Sequence, residues 1–404
     1  MGNEYSKVLL LTDIPPCGDL TAGLALEQLC RMRPPGSISC FAVVNPGLGA
    51  RLSPGLDGVS AEHHEKPPET PFRPFPGRLG GLAAFGAECC RAWGPTRRLA
   101  EQAVRFGKRE GVDAVWCVLQ GQTMIRMAIP VAAGLRVPLL SWAWDPPGWW
   151  MRSYGVDSLT AASVLRRFDE VLRRSSAFGA ASWAMAEEYS RRYGVRAVAV
   201  IPGLDRAWAV PPECGKRHSD DLVIGMAGQL YASKEWDALL RALDGAGWKI
   251  AGRNVRIHIL GRHASLSAAG EARIEFLGWA PQRGAIEKLA GADILYCPYW
   301  FSPEFEEEAR LCFPSKVTTY LAAGRPILFH GPAYASPSRF LEEHDAAGFC
   351  RSLDAHEILD EIARLATDSA RSGRLASNGH RAFLDHLTLE KTRESFSEFL
   401  ERSR

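Results

Sequence analysis

Short runs of consecutive apolar residues alternate with helix-like segments along this chain, and the series occurs twice. Unbroken apolar runs of this length are typical of strands buried on both faces of a parallel sheet. A parallel sheet needs a crossover after each strand, and the intervening helical segments supply it. The first series contains KVLLLT (7–12), SCFAVVN (39–45), DAVWCVL (113–119) and VPLLSWAW (137–144), and the second contains DLVIGMAGQ (221–229), VRIHILG (255–261), DILYCPYW (293–300) and PILFHG (326–331).

Two successive series predict two doubly wound α/β domains. The chain has 404 residues, which is more than one hydrophobic core usually holds. We place the first domain at 1–205 and the second at 206–385, and we assign 386–404 to a charged, amphipathic C-terminal helix. Residues 46–81 are rich in Pro and Gly without periodicity, so we predict a long functional loop there.

The charge of the chain is nearly balanced, with 48 Lys and Arg residues against 46 Asp and Glu residues. This balance disfavours nucleic acid as a partner. Residues 1–205 nevertheless carry an arginine excess, with doublets at 97–98, 166–167, 173–174 and 191–192. Two interpretations stay open: solvated helix faces, or attraction to an anionic membrane surface or a phosphorylated acceptor.

Targeting and metal-binding patterns are missing from the sequence. The N-terminal apolar run is too short for a signal peptide, and no run approaches the roughly 18 apolar residues of a membrane-spanning helix. The ten cysteines include no CxxC, and the ten histidines include no HxxxH or HxH. We therefore expect a cytoplasmic protein with reduced thiols and no metal site.

The segment PSKVTTYLAAGRPIL (314–328) is the most informative motif. Pro-Ser-Lys opens a helix, and Gly324 ends it before a strand. Free backbone N–H groups at such a helix N-terminus bind phosphate. Three further segments strengthen the case for a phosphate site: IGMAGQLYASKEWDALLRAL (224–243), LAGADILYCPYW (289–300) and MAEEYSRRYGVRAVAVIPGLD (185–205).

In their order and spacing, these four segments resemble the retaining, family 4-type (group 1) glycosyltransferases of the GT-B fold. The resemblance implies two Rossmann-like domains facing a cleft, with an NDP-sugar donor bound mainly by the second domain and the acceptor by the first. It also implies that the C-terminal helix crosses back, so that Phe396 and Leu400 face the first domain. No metal ion and no cofactor other than the donor substrate is implied.

The resemblance assigns the donor site to residues of the second domain. Lys234 matches the catalytic lysine that holds the donor diphosphate, and Gly228 matches a glycine that lets the backbone approach it. The helix that begins at Pro314 carries the positions whose backbone N–H groups meet the phosphates, which are Ser315, Lys316 and Val317.

Three positions depart from the family pattern. Gln229 stands where the family usually has an arginine, and Leu311 and Thr319 stand where it has two glutamates. Glu308 is the candidate to replace the first glutamate, and Thr319 is expected to make a weaker contact with the ribose. The candidates for the missing cation are Arg262 and Arg310.

The acceptor side is predicted at SWAWDPPGWWMRSYG (141–155), which follows a buried strand at the edge where α/β sheets bind ligands. Tryptophan faces suit sugar rings or lipid chains, although packing in the core is the competing interpretation. Together with the long loop 46–81, this turn is expected to wall the acceptor site. The acceptor-side candidates are Gly18, Trp144, Asp145, Trp149 and Trp150, of which Asp145 is also a candidate catalytic residue.

We therefore predict a metal-independent, hexosyltransferase-like enzyme of polysaccharide or glycoconjugate biosynthesis. It would move a sugar from an NDP-sugar to a hydroxyl of a glycan, a glycolipid or a small molecule, with retention. Any membrane contact would be peripheral, at the inner face. Two alternatives stay open: a non-catalytic GT-B subunit, motivated by Gln229, Leu311 and Thr319, and a GT-B UDP-sugar epimerase.

Overall fold

The computed structural model describes residues 5–49, 51–56, 58–69, 75, 77–212, 220–261, 268, 270 and 273–401. The chain forms two compact units, Met1–Pro202 with Arg393–Arg404, and Gly203–Thr392. Arg262 and part of the loop 46–81 lie outside the described residues. None of the described helices combines the length and the apolar character needed to cross a bilayer.

The first unit is built on a parallel sheet. Its strands are β1 (Val8–Thr12), β2 (Ile38–Val44), β3 (Ser60–Glu65), β4 (Ala114–Val118), β5 (Leu139–Ala143), β6 (Ala177–Ala180) and β7 (Ala197–Ala199). They lie in the order β3-β2-β1-β4-β5-β6-β7, and every neighbouring pair is parallel. The order reverses between β1 and β4, which is the point where doubly wound sheets bind ligands.

Helices follow most strands of the first unit. They are α1 (Thr21–Arg31), α2 (Gly77–Arg91), α3 (Arg97–Glu110), α4 (Gly121–Leu135), α5 (Pro147–Ser153), α6 (Ser158–Arg174) and α7 (Trp183–Tyr193). The segment from 77 to 110 is not a single continuous α-helix. The structure instead has α2 and α3 joined by a π-helical turn, Ala92–Thr96, that contains Pro95. A proline cannot donate the usual helical hydrogen bond, which explains the interruption.

The second unit repeats the arrangement. Its strands are β8 (Asp221–Ala227), β9 (Lys249–Ile250), β10 (Arg253–Leu260), β11 (Ile274–Phe276), β12 (Ile294–Pro298), β13 (Ile327–His330) and β14 (Ala347–Cys350). The sheet order is β11-β10-β8-β12-β13-β14, with β9 pairing antiparallel to β10 at its side. The helices are α8 (Ser233–Gly245), α9 (Gln282–Leu289), α10 (Glu306–Leu311), α11 (Ser315–Ala322), α12 (Ser336–Glu343), α13 (Ala355–Thr367), α14 (Ser369–His386) and α15 (Leu389–Phe399). The predicted pair of doubly wound α/β domains is confirmed.

Two segments predicted to be irregular are regular in the structure. β3 lies within the loop 46–81 and pairs with β2 as the edge strand of the first sheet. Its sequence, SAEHHE, is half exposed and polar, so it carries no apolar signal. The Trp-rich turn contains the short helix α5, which begins with Pro147 at a position where helices tolerate proline.

The boundaries between the units differ from those in the sequence prediction. The first boundary falls at Pro202/Gly203 instead of 205/206, and the chain rejoins the first unit at Arg393 instead of 386. Leu204 forms an isolated parallel bridge with Thr388, and its N–H donates to the carbonyl of Leu387 at 3.0 Å. These bonds tie the start of the second unit to the start of α15.

The C-terminal part of α15 contributes to the core of the first unit. Phe396, Phe399 and Leu400 are buried in the same apolar cluster as Trp116 of β4. The rings of Phe396 and Trp116 have centroids 5.1 Å apart. The prediction that Phe396 and Leu400 face the first domain is therefore confirmed.

Candidate functional site

The strongest candidate site lies at the carboxyl edge of the second sheet, where its strand order reverses between β8 and β12. Tyr320 of α11 anchors this edge. Its hydroxyl accepts a hydrogen bond from the N–H of Ala227 at 2.9 Å and donates to the carbonyl of Tyr296 at 3.1 Å. Helix α11 is thus fixed to the last residue of β8 and to the middle of β12, the two strands at the switch point.

A glycine turn follows β8 at the same edge. Gly228 has a φ of +89°, a backbone conformation that favours glycine. Its N–H donates to the carbonyl of Leu260 at 2.8 Å. A Cβ at this position would lie 3.8 Å from Cε of Lys316, so the predicted residues Gly228 and Lys316 are brought together.

Lys316 extends its side chain from α11 to this turn. Its Nζ donates to the carbonyl of Gln229 at 3.3 Å and lies 4.0 Å from the ring centre of Tyr231. The residue is 8% exposed, and burial lowers the pKa of its ammonium to about 8. No carboxylate among the described residues forms a salt bridge with Lys316.

Burial of the Lys316 ammonium in this arrangement lowers the stability of the folded protein when no ligand is bound. A buried cation without a counter-ion loses hydration, and one carbonyl and one aromatic face replace only part of it. An anion arriving at the turn of Gly228 and Gln229 would offset that cost. The sequence predicted only a backbone contact for Lys316. The structure shows that its side chain also reaches the turn of Gly228 and Gln229.

The sequence analysis also predicted that backbone N–H groups at the N-terminus of α11 contact phosphate. Pro314 is the cap residue and Ser315 is exposed. In the part of the chain that the structure describes, the N–H groups of Ser315 and Lys316 have no acceptor. The N–H of Val317 instead donates to the carbonyl of Pro314 at 2.9 Å. The predicted phosphate contact by Val317 is therefore corrected, because its donor is already used within the first turn.

Lys234 is exposed near the start of α8. Its Nζ donates to Oγ of Ser302 at 2.8 Å. The adjacent Glu235 is buried and accepts the N–H of Phe301 at 2.8 Å, and burial raises the pKa of its carboxyl. The loop at 301–302 is thus held to the start of α8 by two neighbouring side chains of opposite charge.

Thr319 and Glu308, which were also predicted to contact the NDP-sugar donor, have buried side chains. The hydroxyl of Thr319 donates within its own helix to the carbonyl of Ser315 at 3.4 Å. Glu308 lies on α10 and is almost fully buried. Burial leaves little of either side chain for a ligand. Arg310 on the same helix is exposed, whereas Arg262 lies outside the described residues.

The tryptophans after β5 divide into two groups. Trp144 and Trp149 are half-buried, and Trp144 packs on Trp142 with ring centroids 5.1 Å apart. Trp150 is 1% exposed and Trp142 is fully buried. Trp150 therefore offers no face to an acceptor, which corrects its prediction. Asp145 is half-buried after β5, and Gly18 is exposed in the loop after β1.

The carboxyl edge of the first sheet holds a buried ionic cluster that the sequence prediction missed. Asp13 follows β1, and Lys66 follows β3. The Nζ of Lys66 lies 3.6 Å from Oδ2 of Asp13 and 3.1 Å from Oε2 of Glu69. Burial dominates over the attraction of Lys66 and raises the pKa of Asp13 to about 6.

Glu69 joins this cluster to the start of α4. Its Oε1 accepts the N–H of Thr123 at 2.7 Å. Asp13 could have been singled out from the sequence, because it directly follows a predicted strand at the ligand-binding edge. Lys66 and Glu69 could not, because β3 has no sequence signature. Within the described residues, no group of three or more His, Cys, Asp or Glu side chains is arranged to hold a metal ion.

Comparisons with known proteins agree with this architecture. No family model and no curated protein matches the chain at the level of sequence. Among solved structures, a sucrose-phosphate synthase from Thermosynechococcus elongatus is similar over 97% of this chain and 98% of its own, with a TM-score of 0.66 and 14% identity. Anabaena HepE, solved in complex with UDP, is similar over 98% of this chain and 99% of its own, with a TM-score of 0.64 and 15% identity.

A third similar structure is a glycosyltransferase from Rickettsia africae, which covers 99% of this chain and 100% of its own with a TM-score of 0.60 and 13% identity. At identities this low, the likeness shows a shared fold. The fold class predicted from the sequence, with two Rossmann-like doubly wound α/β domains as in GT-B proteins, is thereby confirmed.

Proposed function

We propose that this protein is a glycosyltransferase that moves a sugar from an NDP-sugar to a hydroxyl acceptor. The observation that carries the proposal is the convergence of Lys316, the Gly228 turn and the N-terminus of α11 at the switch point of the second sheet. This edge combines a cation, a permissive backbone turn and helix N–H groups, which together suit a diphosphate.

The chemistry needs charge stabilisation at the leaving group. As the bond from the sugar to the diphosphate breaks, negative charge grows on the diphosphate oxygens. The ammonium groups of Lys316 and Lys234 and the N–H groups of Ser315 and Lys316 would stabilise that charge without a metal ion. Retention would follow if the acceptor hydroxyl attacks the same face and gives its proton to the departing oxygen.

UDP is the first nucleotide to test, since the similar structure of HepE holds it. We assign the acceptor, a glycan, a glycolipid or a small molecule, to the carboxyl edge of the first sheet. The half-buried Asp145 and Trp149 are the groups there that could bind sugar hydroxyls and ring faces. The predicted hexosyltransferase-like specificity is part of this proposal.

The test is release of nucleoside diphosphate from a panel of NDP-sugars. Wild-type protein should release one nucleotide, and that nucleotide should raise its melting temperature. Lys234→Ala should lower turnover by roughly 10²–10³ because one electrostatic donor is lost. Arg381→Ala, which removes an exposed cation of α14, is the matched control.

Two results would count against the proposal. Thermal stabilisation by a nucleotide without release from any donor would favour the non-catalytic subunit. Turnover of Lys234→Ala within twofold of wild type at saturating donor would remove Lys234 from the mechanism.

A further inference from the structure

A groove of about 1040 Å³ lies among helices of the first unit. It is lined by residues of α3, α4 and α6 and by the π-helical turn before α3. Two arginine doublets that are far apart in the sequence supply residues to it, Arg97 from one and Arg166 with Arg167 from the other. The fold thus brings part of the arginine excess of the first half to one place.

The cations of the groove are only partly neutralised. Ion pairs join Arg97 to Glu101, Arg126 to Glu88 and Arg167 to Glu170, at 3.1, 2.8 and 2.5 Å. Three further cations line the same groove and are exposed, namely Arg105, Lys108 and Arg166. Among the described residues, no carboxylate forms a salt bridge with any of these three. The groove therefore presents uncompensated positive charge.

The three unpaired cations can act together. Arg105 and Lys108 are three residues apart on α3, so they share one face of the helix. Arg166 reaches the groove from α6. Between these charges the groove wall includes the apolar side chains of Val104 and Pro130. Cations placed around an apolar surface are suited to bind a molecule that has both an anionic group and an apolar part.

Large apolar side chains are exposed at the groove and on the helix that leads to it. Trp93 lines it from the π-helical turn and is 77% exposed. Helix α2 runs directly into this turn, and its Leu79 and Leu82 are 69% and 57% exposed, one helical turn apart. Trp93 lies on the same groove as the uncompensated cations, and this pairing with the exposed leucines of α2 suits an interface with anionic lipid. A polar peptide partner would leave the three apolar side chains unused.

We propose that this face binds the surface of an anionic phospholipid bilayer. The headgroup phosphates bind at Arg105, Lys108 and Arg166, and Trp93, Leu79 and Leu82 enter the boundary between headgroups and acyl chains. The ligand class is thus the anionic phospholipid. This surface is separate from the proposed donor site, so the inference does not depend on the proposed glycosyl transfer.

The experiment is flotation of the full chain with two kinds of vesicle, phosphatidylcholine alone and phosphatidylcholine mixed with phosphatidylglycerol. We expect binding to the mixed vesicles and a decrease as salt is raised. The triple variant Arg105→Gln, Lys108→Gln, Arg166→Gln should bind about 100-fold more weakly, since each cation near an anionic surface contributes about 1 kcal/mol. The matched control is Arg241→Gln, Lys288→Gln, Arg381→Gln, which removes three exposed cations of the second unit.

A second set of variants separates lipid from free phosphate. Leu79→Ser with Trp93→Ala should weaken binding to mixed vesicles and leave any binding of glycerol phosphate unchanged. All substituted side chains are exposed, and circular dichroism verifies folding of each variant. Equal vesicle binding by the two triple variants would overturn the proposal. So would binding of glycerol phosphate without binding to vesicles, or equal binding to both kinds of vesicle.

Discussion

Lys316 is the residue on which the proposed chemistry of the second unit depends most. Its ammonium is buried against a carbonyl and an aromatic ring, and burial holds its pKa near 8. A diphosphate bound at the Gly228 turn would favour the charged form and raise that pKa. Nucleotide binding above pH 8 would then take up a proton.

The first prediction concerns the pH dependence of nucleotide binding. The Kd of UDP for wild-type protein should rise above pH 8, by up to about tenfold per pH unit, because one proton must be bound with the nucleotide. Lys316→Met should bind weakly and should lose this dependence. Calorimetric titration in buffers of different ionisation enthalpy measures the proton uptake directly.

The control for this prediction is Lys288→Met, which removes an exposed cation of α9. It should keep the pH dependence of wild type. A flat wild-type profile with intact UDP binding would exclude the Lys316 side chain from the site while leaving the proposed function standing.

Asp13 is the second residue whose charge state matters. Its pKa in the folded protein is about 6, above the ordinary value of 3.8, because burial disfavours the charged carboxylate. Between pH 3.8 and pH 6 the folded state therefore holds a proton that the unfolded state releases. The free energy of unfolding must fall as pH rises through this window.

The second prediction is that Asp13→Asn removes this fall. In wild type the loss across the window should be on the order of 2–3 kcal/mol, from the size of the pKa shift. Urea denaturation at several pH values measures it. If Asp13→Asn and wild type show parallel stability profiles between pH 4 and pH 6, burial of Asp13 does not control its titration.

At the scale of elements, the start of α4 depends on a glycine. Gly121 has a φ of +79°, and a Cβ there would lie 2.5 Å from Oε2 of Glu69. The carboxylate of Glu69 occupies that space in order to accept the N–H of Thr123 and to pair with Lys66. One glycine thus connects the helix start with the ionic cluster at the sheet edge.

The third prediction is that Gly121→Ala lowers the free energy of unfolding by about 2–3 kcal/mol. A positive φ costs a side chain about 1–2 kcal/mol, and displacement of Glu69 adds the loss of its hydrogen bond. Gly86→Ala on α2 is the control, because its surroundings are open and its backbone is helical, so it should be neutral or slightly stabilising. Chemical denaturation compares the two, and equal effects would contradict the prediction.

At the scale of the whole molecule, the chain returns to its first unit at the end. α15 begins in the second unit and ends in the first, where Phe396 packs against Trp116. The carbonyls of Glu398 and Glu401 accept hydrogen bonds from the guanidinium of Arg196 at 2.7 and 2.8 Å. The first unit is therefore completed only by residues from the end of the chain.

The fourth prediction is that Phe396→Ala destabilises the protein by about 3–5 kcal/mol, as expected for a phenylalanine removed from a packed core. The exposed neighbour Arg393 provides the control Arg393→Ala, which should change stability by less than about 0.5 kcal/mol. Denaturant unfolding measures both variants. A loss below about 1 kcal/mol for Phe396→Ala would mean that the C-terminal helix adds little to the first core.

The sequence by itself determined the features of this protein that depend on the local order of residue types. The sequence predicts strands β1, β2, β4, β5, β8, β12 and β13 from runs that are mainly apolar, because a strand buried on both faces holds few polar residues. The turn at Gly228 and the helix start at Pro314 follow from residues with restricted or unusual backbone preferences. The face of α15 follows from the spacing of Phe396 and Leu400.

Only the tertiary structure decided the features that depend on distant partners. β3 exists because the edge of β2 offers it a ladder of hydrogen bonds, and its own polar sequence gives no sign of this. Trp149 and Trp150 are neighbours of identical type, yet packing buries one and leaves the other partly exposed. The side chain of Lys316 reaches the Gly228 turn, Lys66 meets Asp13, and Arg166 joins Arg105 because folding brings together residues whose separation in the sequence carries no local signal.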